Sequence, residues 1–220
     1  MLRRGSWRPA ALFLMPAVFI ATSNAGKLRD FTGAAALFGV TIQGMPKGSL
    51  LPEVEEDGLT FEANARKKAA EYSLRQPGEI VLADDSGLEV DALNGAPSVH
   101  SARYAALDMP GSKPGNSDDV ANNARLLREL AKVAPERKTA RFVCVLAAAR
   151  DGKVLEVFSG KTEGLILMAP RGTHGFGYDP LFFFPDLNKT FAELSAEEKA
   201  QVSHRGAAFR EFLRWRLATS

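Results

Sequence analysis

Residues 17–39 read AVFIATSNAGKLRDFTGAAALFG, and this stretch sets the fold class. The apolar run Ala17-Val18-Phe19-Ile20-Ala21 predicts a buried strand. The polar turn Thr22-Ser23-Asn24-Ala25-Gly26-Lys27 follows, and Leu28, Phe31, Ala35 and Phe38 then recur on one helical face that ends at Gly39. Strand, loop and helix in that order open an α/β unit. A second strand is predicted over Val40–Gln43, a Gly- and Pro-rich loop over Gly44–Pro52, and a helix over Phe61–Leu74 that stops before Pro77-Gly78. Ile80-Val81-Leu82-Ala83 reads as a short apolar strand running into Asp84-Asp85-Ser86-Gly87, with extended structure resuming at Leu88–Val90.

Farther on, Asn94–Asn116 is irregular, rich in Pro and Gly. A helix is expected from Ser117, turning Val120, Ala124, Leu127 and Leu130 inward. Thr139–Ala149 and Lys153–Leu167 form a long hairpin about Asp151-Gly152, a pair suited to a type I′ turn. Pro170–Gly177 is a glycine-rich loop, and Ser195-Ala-Glu-Glu198 is a capping box that starts a short helix. Ser203–Leu217 closes the chain as a helix burying Phe209, Phe212, Leu213 and Leu217. Alternation early and a hairpin late predict an α/β fold with a mixed central sheet flanked by helices.

The 220 residues carry 28 Lys+Arg against 26 Asp+Glu, a net charge of +2. Arg3, Arg4 and Arg8 lie before Met15 with no acid among them, so residues 15–220 carry a net charge of −1. That balance argues against nucleic acid as a partner. The apolar run Ala10–Ala21 falls short of the roughly 20 residues of a membrane span, and Pro9 and Pro16 weaken a signal-peptide reading. Residues 1–14 are read as an ill-ordered extension or a mis-called start, and residues 15–220 as a single catalytic α/β domain. The lone Cys144 makes neither an internal disulfide nor a thiolate zinc site, so a reducing, cytoplasmic compartment is expected. Cys144 lies among Phe142, Val143, Val145 and Leu146, as a core residue does.

Four segments suit chemistry, each with a plainer alternative. Thr22–Lys27, between strand and helix, suits an anion through free backbone amides and the Lys27 ammonium, or is a tight turn with a surface lysine. Asp84-Asp85 at the end of a buried strand calls for a cation such as Mg²⁺, or forms an Asx turn; Glu53, Glu55, Glu56 and Asp57 offer a further carboxylate or a solvated loop. Gly175-Phe176-Gly177-Tyr178-Asp179-Pro180 can stack Phe176 on a flat ring and accept a ring N–H at Asp179, or is a loop anchored by packed aromatics. Ser203-His204-Arg205-Gly206 offers donors to a carbonyl oxygen, or caps a helix. His100 and His174 have no metal-binding spacing. The G-x-S-x-G elbow and the dinucleotide glycine fingerprint are both missing, which disfavours covalent nucleophilic and nicotinamide chemistry.

Taken in order, these segments together with Ser101-Ala102-Arg103-Tyr104 resemble the non-canonical purine NTP pyrophosphatases, the inosine triphosphatase family, from about Val18 to Leu213. The resemblance implies Mg²⁺-dependent hydrolysis of dITP, ITP and XTP to monophosphate and pyrophosphate, in a cleft between two lobes of a homodimeric α/β protein. It implies that Thr22, Ser23, Asn24, Ala25, Gly26 and Lys27 hold the triphosphate, that Asp85 is the proton acceptor, and that Glu56 and Asp85 hold the metal. Ser86, Phe176, Gly177, Tyr178, Asp179, Lys199, His204 and Arg205 correspond to substrate contacts, and Lys68 to the lysine of the helix after the acidic loop. Two positions depart from the family pattern: Ala63 stands where a glutamate is usual, and Ser98 follows Pro97 where glycine is usual. A non-catalytic nucleotide-binding module would keep the loop and the base pocket without needing Glu56 and Asp85 together.

Overall fold

A computed structural model describes residues 18–45, 54–108 and 118–219. The extension read at 1–14, Ala17, most of the Gly44–Pro52 loop, Glu53 and Ser117 lie outside the described residues. The elements run β1 (Val18–Ile20), α1 (Ala25–Ala36), β2 (Ile42–Gly44), α2 (Phe61–Ser73), β3 (Val81–Val90), α3 (Asp119–Leu130), β4 (Thr139–Arg150), β5 (Lys153–Ile166), β6 (Phe182–Phe184), β7 (Lys189–Thr190), α4 (Ala196–Val202) and α5 (His204–Ala218). The described strands make one mixed sheet in the order β2-β1-β3-β4-β5-β6-β7, parallel from β2 to β3 and antiparallel beyond.

One face of the sheet is covered by α1 and α5, whose Phe31, Phe209 and Phe212 pack on Ile20, Leu82 and Leu146. The other is covered by α2, whose Phe61, Ala65 and Ala69 pack on Val81, Ala83 and Val145. Beyond the helices, Leu88, Phe142, Phe182 and Phe191 join Leu126 and Leu130 of α3 in a further apolar cluster. Cys144 is fully buried in the cluster under α1 and α5, and no helix among the described residues is long and apolar enough to cross a membrane.

Several boundaries differ from the sequence reading. The Asp84–Gly87 stretch is no turn: β3 is one ten-residue strand, laddered to β4 without interruption from Val81↔Ala149 to Val90↔Ala140. Turn-like composition yields here because basic side chains from three helices neutralise the aspartates. α1 begins at Ala25, with Asn24 as its cap, so three residues of the expected loop form the first helical turn. β2 starts two residues and ends one residue later than read, and β6 and β7 were not anticipated. The buried line of α3 is Asn122, Leu126 and Leu130, whereas Val120 is 72% exposed and Ala124 is exposed too. A polar residue on the inner face shifted the apparent phase of that helix. Between β3 and α3, 3₁₀ turns at Asp91–Leu93, Ser98–Arg103 and Ala105–Asp108 give the irregular segment its shape.

Ser98 opens the second of these turns with φ +50°. A side chain in that left-handed region costs about 1–2 kcal/mol, which explains glycine at the matching position of the resembled family. Replacing Ser98 with Gly relieves that strain but frees the unfolded chain by about 0.4–1 kcal/mol, leaving a net gain between about 0 and 1.6, or roughly 1 kcal/mol in the middle of the range. For a chain of this size that corresponds to a rise of roughly 2–4 °C in Tm, readable by thermal denaturation. A lower Tm would show that the serine side chain holds the turn.

Candidate active site

The site is built around a gap in the sheet. β1 stops at Ile20 and pairs with β3 only at Val81 and Leu82, the Ala21 amide adding one last bond to the Leu82 carbonyl. Past Leu82, the edge of β3 faces no strand among the described residues until Ser101 takes the Leu88 amide at 2.9 Å. Side chains alternate across a strand, so the adjacent aspartates point to opposite faces at this opening.

Asp84 faces α1 and α5. Its Oδ2 lies 3.0 Å from Lys27 Nζ and accepts the Ser86 hydroxyl at 2.8 Å. Burial alone would raise its pKa, but Lys27, Arg205 and Lys68 outweigh that and hold it at about 2. Asp85 faces α2. One of its oxygens accepts from Asn64 Nδ2 at 3.0 Å, and the other from the Ser86 amide at 3.1 Å, with Lys68 Nζ at 3.4 Å. Its pKa is raised, chiefly by burial and further by nearby Glu56, against the pull of Lys68 and Lys27. Lys68 also meets Glu56 Oε2 at 3.0 Å, so one ammonium joins the two carboxylates of the implied metal pair.

Above the opening, Asn24 caps α1 by accepting the Lys27 amide at 3.0 Å, and the Thr22 hydroxyl accepts the Asn24 amide at 3.2 Å. The amides of Ala25 and Gly26, in the first turn, have no intrahelical acceptor and suit an anion beside Lys27. Gly26 is buried under the Phe176 ring: a Cβ there would stand 2.5 Å from Phe176 Cδ1, so only glycine lets the Thr22–Lys27 loop and the aromatic loop meet.

Next to this contact is a pocket lined by Asn24, Lys27, Ser86, Phe176, Gly177, Tyr178, Asp179, His204 and Arg205, and also by Ser101, Ala102 and Asp119. His204 is buried and stacked on Phe142 at 4.8 Å; burial and the cations nearby drive its pKa well below the usual range, so the ring is neutral. Its Nδ1 and Arg205 Nε are buried with no hydrogen-bond partner. The remaining nitrogens of the guanidinium are occupied, Nη1 by Asp30 at 3.0 Å and Nη2 by the Ser86 hydroxyl at 2.8 Å. Lys199 bridges Asp179 at 2.7 Å and Asp30 at 3.2 Å, and both Lys199 and Arg205 lie 5.1 Å from the Phe176 ring centroid.

The structure thus gathers Asn24, Lys27, Ser86, Phe176–Asp179, His204 and Arg205 at one pocket, with Gly26 and Lys199 directly behind its aromatic wall. Ser23 and Ala25 are exposed and Thr22 half-buried outside it, while Glu56 and Asp85 lie on the α2 side. No group of three His, Cys, Asp or Glu residues suited to a metal exists among the described residues, and His100 and His174 are exposed.

The sequence profile of the Ham1 family matches residues 18–215, nearly the whole described chain. The chain belongs to the Ham1 family. It is 49% identical over 198 residues to a dITP/XTP pyrophosphatase of Acidobacterium capsulatum, covering 89% of this chain and 96% of the relative. It is 47% identical to the dITP/XTP pyrophosphatase of Exiguobacterium sibiricum, over 88% and 93% of the two chains. Among solved structures, the Ham1 protein of Staphylococcus aureus superposes with a TM-score of 0.74 at 38% identity, over 93% of this chain and all of that one.

In this Ham1 chain the missing glutamate falls at the third position of α2, where Ala63 is exposed and gives its amide to the Thr60 hydroxyl at 3.1 Å. A glutamate there would close a capping box with Thr60. The buried contacts of Asp85 come instead from Asn64 and Lys68. Asp30, Asn64 and Asp84 are site residues that sequence reasoning did not assign. Asp84 carried a signal as half of an acidic pair, and Asp30 lies three residues after Lys27, but nothing local marks either one's partners.

Proposed function

We propose that this chain hydrolyses the purine nucleoside triphosphates dITP, ITP and XTP to monophosphate and pyrophosphate, clearing altered bases from the nucleotide pool. The observation that carries the reading is the meeting, at one open strand edge, of a helix start suited to an anion, a buried carboxylate held by a lysine, and a pocket holding two nitrogens that make no hydrogen bond. The names of the Ham1 relatives support it. In this reading the triphosphate lies along the Ala25 and Gly26 amides and Lys27, and the unpaired β3 edge is the floor of the cleft between two lobes.

The residues present fit Mg²⁺. Glu56 and Asp85 offer hard oxygen donors to one shared point, now taken by the Lys68 ammonium, and Mg²⁺ commonly takes one or two protein carboxylates with phosphate oxygens and water completing its shell. Bound by Glu56 and Asp85, the ion supplies charge neutralisation of the phosphates and a more acidic water. Asp85 accepts the proton of the attacking water at a carboxylate oxygen. Lys27 and Lys68 offset the charge on the departing pyrophosphate, and no covalent protein intermediate is needed.

Hypoxanthine and xanthine present an oxygen at position 6 and an N–H at position 1; adenine presents an amino group and a bare nitrogen. The Arg205 Nε–H pairs with the 6-oxygen and is left facing a donor by adenine, while Phe176 stacks on the ring. The resemblance adds a homodimeric, cytoplasmic enzyme to this reading. A panel of nucleoside triphosphates with Mg²⁺, scored separately for pyrophosphate and orthophosphate, tests it. Pyrophosphate from ITP, dITP and XTP with far slower turnover of ATP and GTP is expected; orthophosphate as first product, or equal rates on ATP, would remove the assignment.

A further inference from the structure

We propose that Asp119 and Asn123 of α3 are positioning residues that fix the Phe176 ring for the base, setting substrate affinity through a clamp on Gly177. The inference rests on the stacking role just given to Phe176. Phe176 stands between Gly175, φ +80°, and Gly177, φ +61°, the two positions where its loop is freest to swing. From within the loop, Asp179 accepts the Phe176 amide at 2.9 Å and returns its own amide to the Phe176 carbonyl at 3.2 Å. Nothing in those two bonds fixes the far side of Gly177.

That side is held from α3. Asp119 Oδ2 accepts the Gly177 amide at 2.7 Å, and Asn123 Nδ2 donates to the Gly177 carbonyl at 3.0 Å. Residues four apart on a helix share a face, so one helix grips the peptides on both sides of a single Cα and locks both of its dihedrals. The same helix is anchored to the opposite wall of the pocket: Asn122, buried beside them, accepts the Ala105 amide at 2.8 Å and donates to the Ala102 carbonyl at 3.3 Å. Tyr178 ties the two walls directly through its bond to the Ser101 carbonyl at 2.9 Å. The ring that rests on Gly26 is therefore aimed by residues with no part in the phosphate or carboxylate chemistry.

Asp119→Ala and Asn123→Ala are each expected to raise the KM and Kd for ITP about tenfold while kcat stays within twofold. Asp119→Asn, which keeps an oxygen acceptor for the Gly177 amide, is expected within threefold of the parent. Because both residues act through the ring, their effect is expected to vanish in a Phe176→Ala background. An equal penalty in that background would mean that they touch the nucleotide directly or act elsewhere, and would overturn the proposal. A fall in kcat that follows a fall in Tm, with KM unchanged, would reduce them to helix-start residues and overturn it equally. If calorimetry finds no purine nucleotide bound by the unsubstituted protein, the stacking reading itself fails; nucleotide bound normally by the Ala variants defeats the clamp alone.

Discussion

Asp85→Asn is expected to lower turnover of ITP by about 10² or more while folding and nucleotide binding survive, the usual scale for a positioned proton acceptor. The expectation follows from the sides of β3. Asp85 faces α2, with Asn64 and Lys68, while the Thr22–Lys27 loop and the Phe176 pocket lie toward α1 and α5. Loss of its charge leaves the Lys27–Asp84 pair and the pocket nitrogens in place. Asp84→Asn provides the contrast, since Asp84 compensates Lys27 and Arg205 and its loss is expected mainly in KM and stability. The measurement is kcat and KM for both variants beside their circular dichroism. Near-normal turnover with asparagine at 85 would make Asp85 a structural strand residue.

Arg205→Ala is expected to reduce the ratio of kcat/KM for ITP over ATP by about 10². In the proposed reading ITP loses the donor to its 6-oxygen, whereas ATP never used it. The guanidinium is buried and paired with Asp30, and its removal leaves Asp30 with Lys199 alone, so the variant will also be less stable. A ratio taken for two substrates on one preparation cancels the folded fraction and isolates recognition. An unchanged ratio would move base discrimination from Arg205 to His204 or the loop amides.

The opening strand and first helix were legible because their apolar periods, two apolar faces for a buried strand and 3.6 for α1, are unbroken. The hairpin was legible from Asp151-Gly152, both of which have positive φ. Asp84–Gly87 was misread because its composition is that of a turn, whereas the charges that keep it extended come from Lys27, Lys68 and Arg205, far away in sequence. The phase of α3 was misread because Asn122 takes a core position there to hold Ala102 and Ala105, a role fixed by residues about twenty positions upstream. The site motifs were each visible, but not which side of the sheet each serves. Arg205 and Asp30 are 175 residues apart, and no local pattern announces that bond.

In the proposed reading, the placement of Asp84 and Asp85 on opposite sides of one strand makes a single backbone the partition wall between recognition and reaction. Substitutions on the α5 side can retune which base is accepted while the water-side carboxylate keeps its surroundings, so the two properties are free to drift separately. Length is not free in the same way. Deleting one residue between Val81 and Ala83 would turn every later side chain of β3 to the other side, handing Asp85 to Lys27 and Ser86 to Lys68. This strand therefore tolerates replacement far better than insertion or deletion: the side-chain types from Val81 to Gly87 can change one at a time, whereas their number sets which side each one faces.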